Sequence, residues 1–202
     1  MELIAALPSL LPSVKRTPSA GRPRQPYFVI VGTIEPRKNH LLLLNLWRDI
    51  ASDAATSPKL IAIGARGWEN EQVRDMFERC AVIRPHVMKV ERVGATALAQ
   101  LVADAQALLI PSFNEGYGLP VVEALTVGTP VIASDIPVFR EITQDCATLL
   151  SPFNGQDWRD TILAFSKPQS SALNAARAKA AQFSAPNWDN YFQGVEGFLD
   201  SL

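Results

Sequence analysis

Two stretches of this sequence hold residue types that can do chemistry together. The first reads G-T-I-E-P-R-K-N-H from Gly32 to His40 and sets two cations, Arg37 and Lys38, directly before an apolar run of helical character. Gly32 lets the backbone turn tightly, Pro36 stiffens the loop, and Asn39 is of the type that caps a helix. A helix N-terminus offers unpaired N–H groups and a positive dipole end, so two cations beside one describe an anion site, phosphate above all. Alone, the pair would read as solvated charges on a surface turn.

The second stretch, S-F-N-E-G-Y-G-L-P-V-V-E-A-L, runs from Ser112 to Leu125. Gly116 and Gly118 expose backbone N–H groups without side-chain obstruction, and Pro120 sits where a helix would begin. Glu115 and Glu123 bracket this turn with seven residues between them. A helix starting near Leu119 puts Glu123 in its first turn and Glu115 in the loop before it, so that both can face one crevice. Carboxylates there would repel a diphosphate, and their better partners are hydroxyl groups. A helix start decorated with favourable acids explains one Glu but neither the paired spacing nor the glycines.

Both stretches follow short apolar runs, and such runs alternate with longer amphipathic segments from Tyr27 onward. The runs are Tyr27 to Thr33, Lys59 to Ala65, Val87 to Val93, Gln106 to Ser112, Pro130 to Asp135 and Ala147 to Pro152. Between them lie helical segments at Asn39 to Ala55, Glu69 to Val82, Thr96 to Ala105, Leu119 to Val127, Val138 to Thr143 and Gln156 to Ser166. The alternation predicts an α/β fold, a Rossmann-like doubly wound parallel sheet with helices on both faces. Near-continuous apolar runs suit strands buried on both sides. In such a sheet, ligands bind beyond the carboxyl ends of the strands, where both chemical stretches fall. In the first helix Leu42, Leu46, Trp47, Ile50 and Ala54 recur at spacings of three and four and predict a buried stripe.

The chain of 202 residues fits one ordinary domain, expected over residues 27–202, after an extended Pro-rich segment over residues 1–26. A net charge of -1 offers no field for nucleic acid or anionic lipid, so any anion must be bound locally. Cys80 and Cys146 stand far apart without metal-ligand spacing, as reduced thiols of a cytoplasmic protein do. The opening apolar residues, interrupted by Pro8 and Pro12, make neither a signal peptide nor an anchor. No G-x-G-x-x-G and no P-loop motif occurs, and His40 and His86 read as packing residues. From Pro186 to Leu202, Trp188, Tyr191, Phe192 and Phe198 give the tail more apolar surface than a free helix needs, which predicts packing outside the minimal sheet.

From Glu115 to Val131 the chain reads E-G-Y-G-L-P-V-V-E-A-L-T-V-G-T-P-V. This closely resembles the signature of GT-B retaining glycosyltransferases, E-G-F-G-L-P-x-x-E-A-x-x-x-G-x-P-V, and the loop at Gly32 resembles that family's G-x-x-x-x-R-K-N phosphate loop. The resemblance covers Tyr27 to the C-terminus and implies the C-terminal, donor-binding half of a GT-B fold. It implies that Arg37 and Lys38 bind the diphosphate of a nucleotide sugar, with Gly32 at the turn and backbone N–H groups from Gly116, Tyr117, Gly118 and Leu119. Glu123 would hold the ribose hydroxyls and Glu115, grouped with Arg37 and Lys38 as catalytic, those of the transferred sugar. The base would lie near Arg92, Val93 and Gly94. The version ending in N-H looks most like mannosyltransferases, which favours GDP-mannose over a UDP-sugar. Without a D-x-D motif, no metal and no further cofactor is expected. The acceptor, a glycan or lipid-linked sugar of polysaccharide assembly, would be bound by a second domain that this chain does not carry, at the inner membrane face in the full enzyme. The alternative is a non-catalytic nucleotide-sugar-binding module that assembles with other transferases.

Overall fold

The computed structural model describes residues 26–51, 57–185 and 188–200. The extended segment expected before Tyr27 lies outside the described residues except for Pro26, as do Ala54 and the expected helix end at Ala55. Among the described residues, six parallel strands form one sheet in the order β3-β2-β1-β4-β5-β6. These are β1 Tyr27–Val31, β2 Lys59–Ile63, β3 Val87–Val90, β4 Leu108–Ile110, β5 Val131–Ser134 and β6 Thr148–Leu150. Each is shorter than its apolar run, because glycines or prolines at the ends, Gly32, Gly64 and Pro111 among them, turn the chain out of the ladder.

The helices are α1 His40–Ile50, α2 Glu71–Arg79, α3 Ala95–Asp104, α4 Leu119–Thr126, α5 Pro137–Ile142, α6 Gly155–Ser166, α7 Ser171–Ala180 and α8 Trp188–Leu199. Alternate strand residues feed two cores. Phe28, Ile30, Leu60, Leu109 and Ile132 pack with Trp47 of α1 and Trp158 of α6 on one face. Val29, Leu108, Ile110, Val131 and Ala133 pack with α3, α4 and α5 on the other. Both indoles are fully buried, and each satisfies its N–H: Trp47 donates to Pro58 O and Trp158 to Ser151 O, both at 3.0 Å.

The α1 stripe is broader than predicted. Leu43 and Leu44 are buried with Leu46, Trp47 and Ile50, whereas Leu42 is only half-buried. Leu42 fills the seam with α6 instead, its Cδ1 3.5 Å from where a Cβ on Gly155 would stand. In α8, Phe192 and Phe198 are 54% and 63% exposed; Pro186 and the side chains of Trp188 and Tyr191 fall outside what is described. No described helix is long and apolar enough to cross a membrane.

The strand order reverses between β1 and β4, although the two strands are parallel. The helices that follow these two strands leave on opposite faces, α1 into the first core and α4 into the second. A crevice must open between the two loops at that point, and in doubly wound sheets it is the ligand crevice. Its floor depends on close backbone contact between β1 and β2. Gly32 N donates to Ile63 O at 2.9 Å, and a Cβ on Gly64 would stand 1.9 Å from Gly32 O. Gly64→Ala is expected to cost at least about 3 kcal/mol, the upper range for overpacking. Gly94→Ala, whose Cβ meets nothing within 4 Å, should cost no more than about 1 kcal/mol, for the poorer helix cap. Urea unfolding of both variants checks this, and equal midpoints would discard the close approach.

Candidate functional site

After β1 the chain passes through Gly32 at φ 150, a backbone state that favours glycine, and then makes one turn of 3-10 helix over Pro36–Lys38. The Lys38 side chain folds back across Gly32, its Cε 3.5 Å from where a Cβ there would lie. Asn39 does not cap α1 with its side chain as expected. The tight turn before it forces a left-handed residue, φ 53 and ψ 37, which asparagine tolerates. Its side chain then points away from the helix and donates to Pro152 O at 3.3 Å, tying this loop to the one after β6.

The loop after β4 meets the first loop directly. Phe113 N donates to Arg37 O at 2.8 Å. Around that bond three donors converge on the Glu115 carboxylate: Lys38 Nζ at 2.5 Å and Ser112 Oγ at 2.7 Å on Oε1, and Arg37 Nη1 at 3.1 Å on Oε2. Arg37 Nη1 also donates to Asn114 O at 3.2 Å. The side chains of Glu115 and Lys38 are 6% and 13% exposed, so water screens their attraction poorly, whereas Arg37 at 46% reaches solvent.

Two residues that the sequence reading did not single out extend the cluster. Glu35 Oε1 lies 2.7 Å from Arg37 Nε, and its Oε2 accepts from Trp68 Nε1 at 3.2 Å. Arg37 is thus held by carboxylates on two sides, and Trp68, from the loop after β2, orients one of them. The available signal was positional, since Trp68 follows a strand at the same end of the sheet.

Past Glu115, Gly118 takes φ 85 and N-caps α4, and a Cβ on it would stand 2.6 Å from the Phe139 ring. Only glycine serves both demands. Among the described residues, none accepts a hydrogen bond from the backbone N–H groups of Gly116, Tyr117, Gly118 or Leu119, so this turn presents donors at a helix N-terminus. Tyr117 is exposed beside them. The helix begins at Leu119 as expected, but Glu123, four residues on, falls in its second turn rather than the first. Burial raises its pKa, and no described residue bonds its carboxylate.

Arg92, Val93 and Gly94 follow β3 at the same end of the sheet. Arg92 is exposed, Val93 packs against the second core, and Gly94 N-caps α3 in extended conformation. Among the described residues, no hydrogen bond or ion pair joins them to the cluster that Gly32, Arg37, Lys38 and Glu115 form. His86 belongs elsewhere: it lines a cavity of about 610 Å³ with Tyr27, Lys59 and Met88 at the amino end of the sheet. No described group of three or more His, Cys, Asp or Glu is placed to hold a metal ion.

The family model described as glycosyl transferases group 1 matches residues 15–182. The chain belongs to that family. It is 33% identical over 206 residues to the serotype-specific mannosyltransferase WbdA of Escherichia coli, an alignment covering 100% of this chain and 24% of WbdA. The O-antigen chain mannosyltransferase B of Escherichia coli is 31% identical over 167 residues, covering 82% of this chain and 43% of that protein. The chain therefore spans less than half the length of these relatives. Its fold is that of the C-terminal domain of the group 1 protein LpcC from Francisella tularensis, with TM-score 0.63 and 19% identity over 79% of this chain and 82% of that domain. The GT-B half-fold expected from the sequence is thus the fold observed.

His40, two residues past Lys38, has a buried imidazole. Burial first, and the Lys38 charge second, lower its pKa from 6.5 to about 4. An unfolded imidazole takes up its proton below 6.5, whereas the folded one waits until about 4, so unfolding binds protons throughout that window. Stability should fall as pH drops through it, by up to about 3 kcal/mol from this residue. His40→Gln, whatever its cost at neutral pH, is expected to flatten that decline when urea unfolding is measured at several pH values. A variant that loses stability as steeply as the parent would remove His40 as the cause.

Proposed function

We propose that this chain is the donor-binding domain of a retaining hexosyltransferase and binds a nucleotide diphosphate sugar in the crevice between the β1 and β4 loops. The observation that carries this is the meeting of Arg37, Lys38 and Glu115 at the point where the strand order reverses, beside the free N–H groups at the start of α4. Cleaving the bond from sugar to nucleotide leaves negative charge on the diphosphate. Preorganised positive charge there lowers the barrier most. Arg37, Lys38 and the helix N-terminus supply it from fixed positions without a metal. The half-buried, unbonded carboxylate of Glu123 is suited to ribose hydroxyls, and Glu115 to those of the sugar.

Transfer keeps the anomeric configuration by attack on the face that the diphosphate leaves, and the departing phosphate takes the acceptor's proton. Glu115 then positions the sugar and is not a nucleophile. The relatives named as mannosyltransferases support mannose as the sugar and GDP as its carrier, with a UDP-sugar as the alternative. The acceptor is a glycan or lipid-linked sugar in polysaccharide assembly, held by a second domain that also closes the cleft against water. This chemistry takes place in the cytoplasm, with the full enzyme at the membrane face where a lipid-linked acceptor lies.

Calorimetric titration tests the donor. GDP should bind more tightly than UDP or ADP, and chelator should not change the result; a clear UDP preference overturns GDP-mannose, and loss of affinity in EDTA overturns metal independence. Lys38→Ala removes a charge-assisted contact to the diphosphate and should cost about 1.5 to 3 kcal/mol, roughly tenfold to a hundredfold in affinity. Glu123→Ala should weaken guanosine as well as GDP, because its partner is ribose. If both variants fold and bind nucleotide as the parent does, the donor site lies elsewhere.

A further inference from the structure

The proposed diphosphate and the Glu115 carboxylate claim the same two cations. Oε1 of Glu115 accepts from Lys38 Nζ at 2.5 Å and Oε2 from Arg37 Nη1 at 3.1 Å, and the remaining donor, Ser112 Oγ at 2.7 Å, is neutral. A diphosphate drawn to Lys38 and Arg37 must either sit beside this carboxylate or take its partners. In the first case, two anions face each other in a poorly screened place. In the second, a carboxylate only 6% exposed is left with one neutral donor, which is the costly way to bury a charge.

What hangs on the terminal phosphate decides whether that cost is met. A bare nucleoside diphosphate ends in a phosphate with full charge and no hydroxyl donors. In a nucleotide sugar the same phosphate is a diester, with less negative charge, and the attached sugar brings hydroxyl groups that can donate to Glu115 in place of the cations.

We infer that Glu115 discriminates between these two ligands: it competes with the phosphates for Lys38 and Arg37, so it opposes a bare nucleoside diphosphate and favours one still carrying its sugar. The inference rests on the donor-site reading above and adds a function to that site. Once the sugar has been transferred, its hydroxyls no longer satisfy the carboxylate. Glu115 then recaptures Lys38 and Arg37 and loosens the nucleoside diphosphate left behind. The residue that holds the sugar thereby also promotes product release, and Ser112, which stays bonded to Oε1, keeps the carboxylate in place through the exchange.

The test compares GDP, guanosine and GDP-mannose by calorimetry, or UDP, uridine and a UDP-sugar if UDP is the preferred base. In the unmodified chain, GDP-mannose should bind more tightly than GDP despite its lower charge. Glu115→Gln removes the charge and keeps the shape. It should tighten GDP about tenfold, leave guanosine unchanged and leave GDP-mannose no tighter, so that the preference for the sugar-bearing ligand shrinks by about tenfold. A role confined to holding the loop would weaken all three ligands together. Glu115→Gln binding GDP no more tightly, while Lys38→Ala still loses GDP, overturns the inference and leaves the donor site standing. Lys38→Ala without effect brings down the donor-site reading itself. Should the Gln variant fail to fold, the comparison in the unmodified chain decides, and GDP binding more tightly than GDP-mannose there overturns the inference.

Discussion

All strands of a parallel sheet end on the same side, and the helices that follow neighbouring strands must choose a face. In this chain β1 and β4 are adjacent in the sheet but far apart in sequence, and their helices leave in opposite directions. No side chain from either core can fill the gap between the two departing loops, so loop residues must do so themselves. The bond from Phe113 N to Arg37 O draws the two backbones together, and the charged cluster forms around it. The requirement that these loops diverge and yet be pinned accounts for Gly32, the 3-10 turn, the left-handed Asn39 and the left-handed Gly118.

The cluster is an expensive way to join two loops. A carboxylate, an ammonium and a guanidinium, two of them nearly shielded from water, could be replaced by apolar residues with little loss and often a gain in stability. Stability is therefore a poor explanation for them. What a buried set of charges offers over an apolar contact is response to a charged ligand, since its partners can be exchanged one for another without rebuilding the backbone. The scaffold that holds the charges is correspondingly stiff: a sheet buried on both faces, with Gly64 packed against Gly32 O and Gly118 against Phe139.

The strands, the helices and the sheet-end location of the site were legible because they rest on local patterns: apolar runs, spacings of three and four, and glycines where strands stop. The helix at Leu119 starts where the sequence put it, but Glu123 lies four residues further on, past the 3.6 residues of the first turn. Asn39 was misread. Its type suits a cap, but the preceding turn leaves it only a left-handed state, and a carbonyl from the distant loop after β6 claims its side chain. What the sequence hid most completely was partnership across the crevice. Glu35 to Arg37 is a short-range pair, but Trp68 to Glu35 and Lys38 to Glu115 join segments 33 and 77 residues apart.

That hidden pairing changes how the two motifs should be understood. Read separately, one loop binds phosphate and the other binds sugar, with two independent jobs and two independent sets of contacts. In the structure Glu115, the acid proposed to face the sugar, is the counter-ion of Lys38 and Arg37, the cations proposed to face the diphosphate, so a change of partner in one loop reaches the other. Glu35, oriented by Trp68, holds Arg37 in a second ion pair at 2.7 Å, so the proposed donor complex asks only the Nη1 edge of the guanidinium to change partner. Arginine suits this position where lysine would not, because its planar fork has donors on separate edges and can serve an anchoring carboxylate and an exchangeable partner at once. Lys38 has no such second anchor among the described residues. Its ammonium must be aimed by the chain that carries it, and that chain lies across Gly32 at ordinary contact distance.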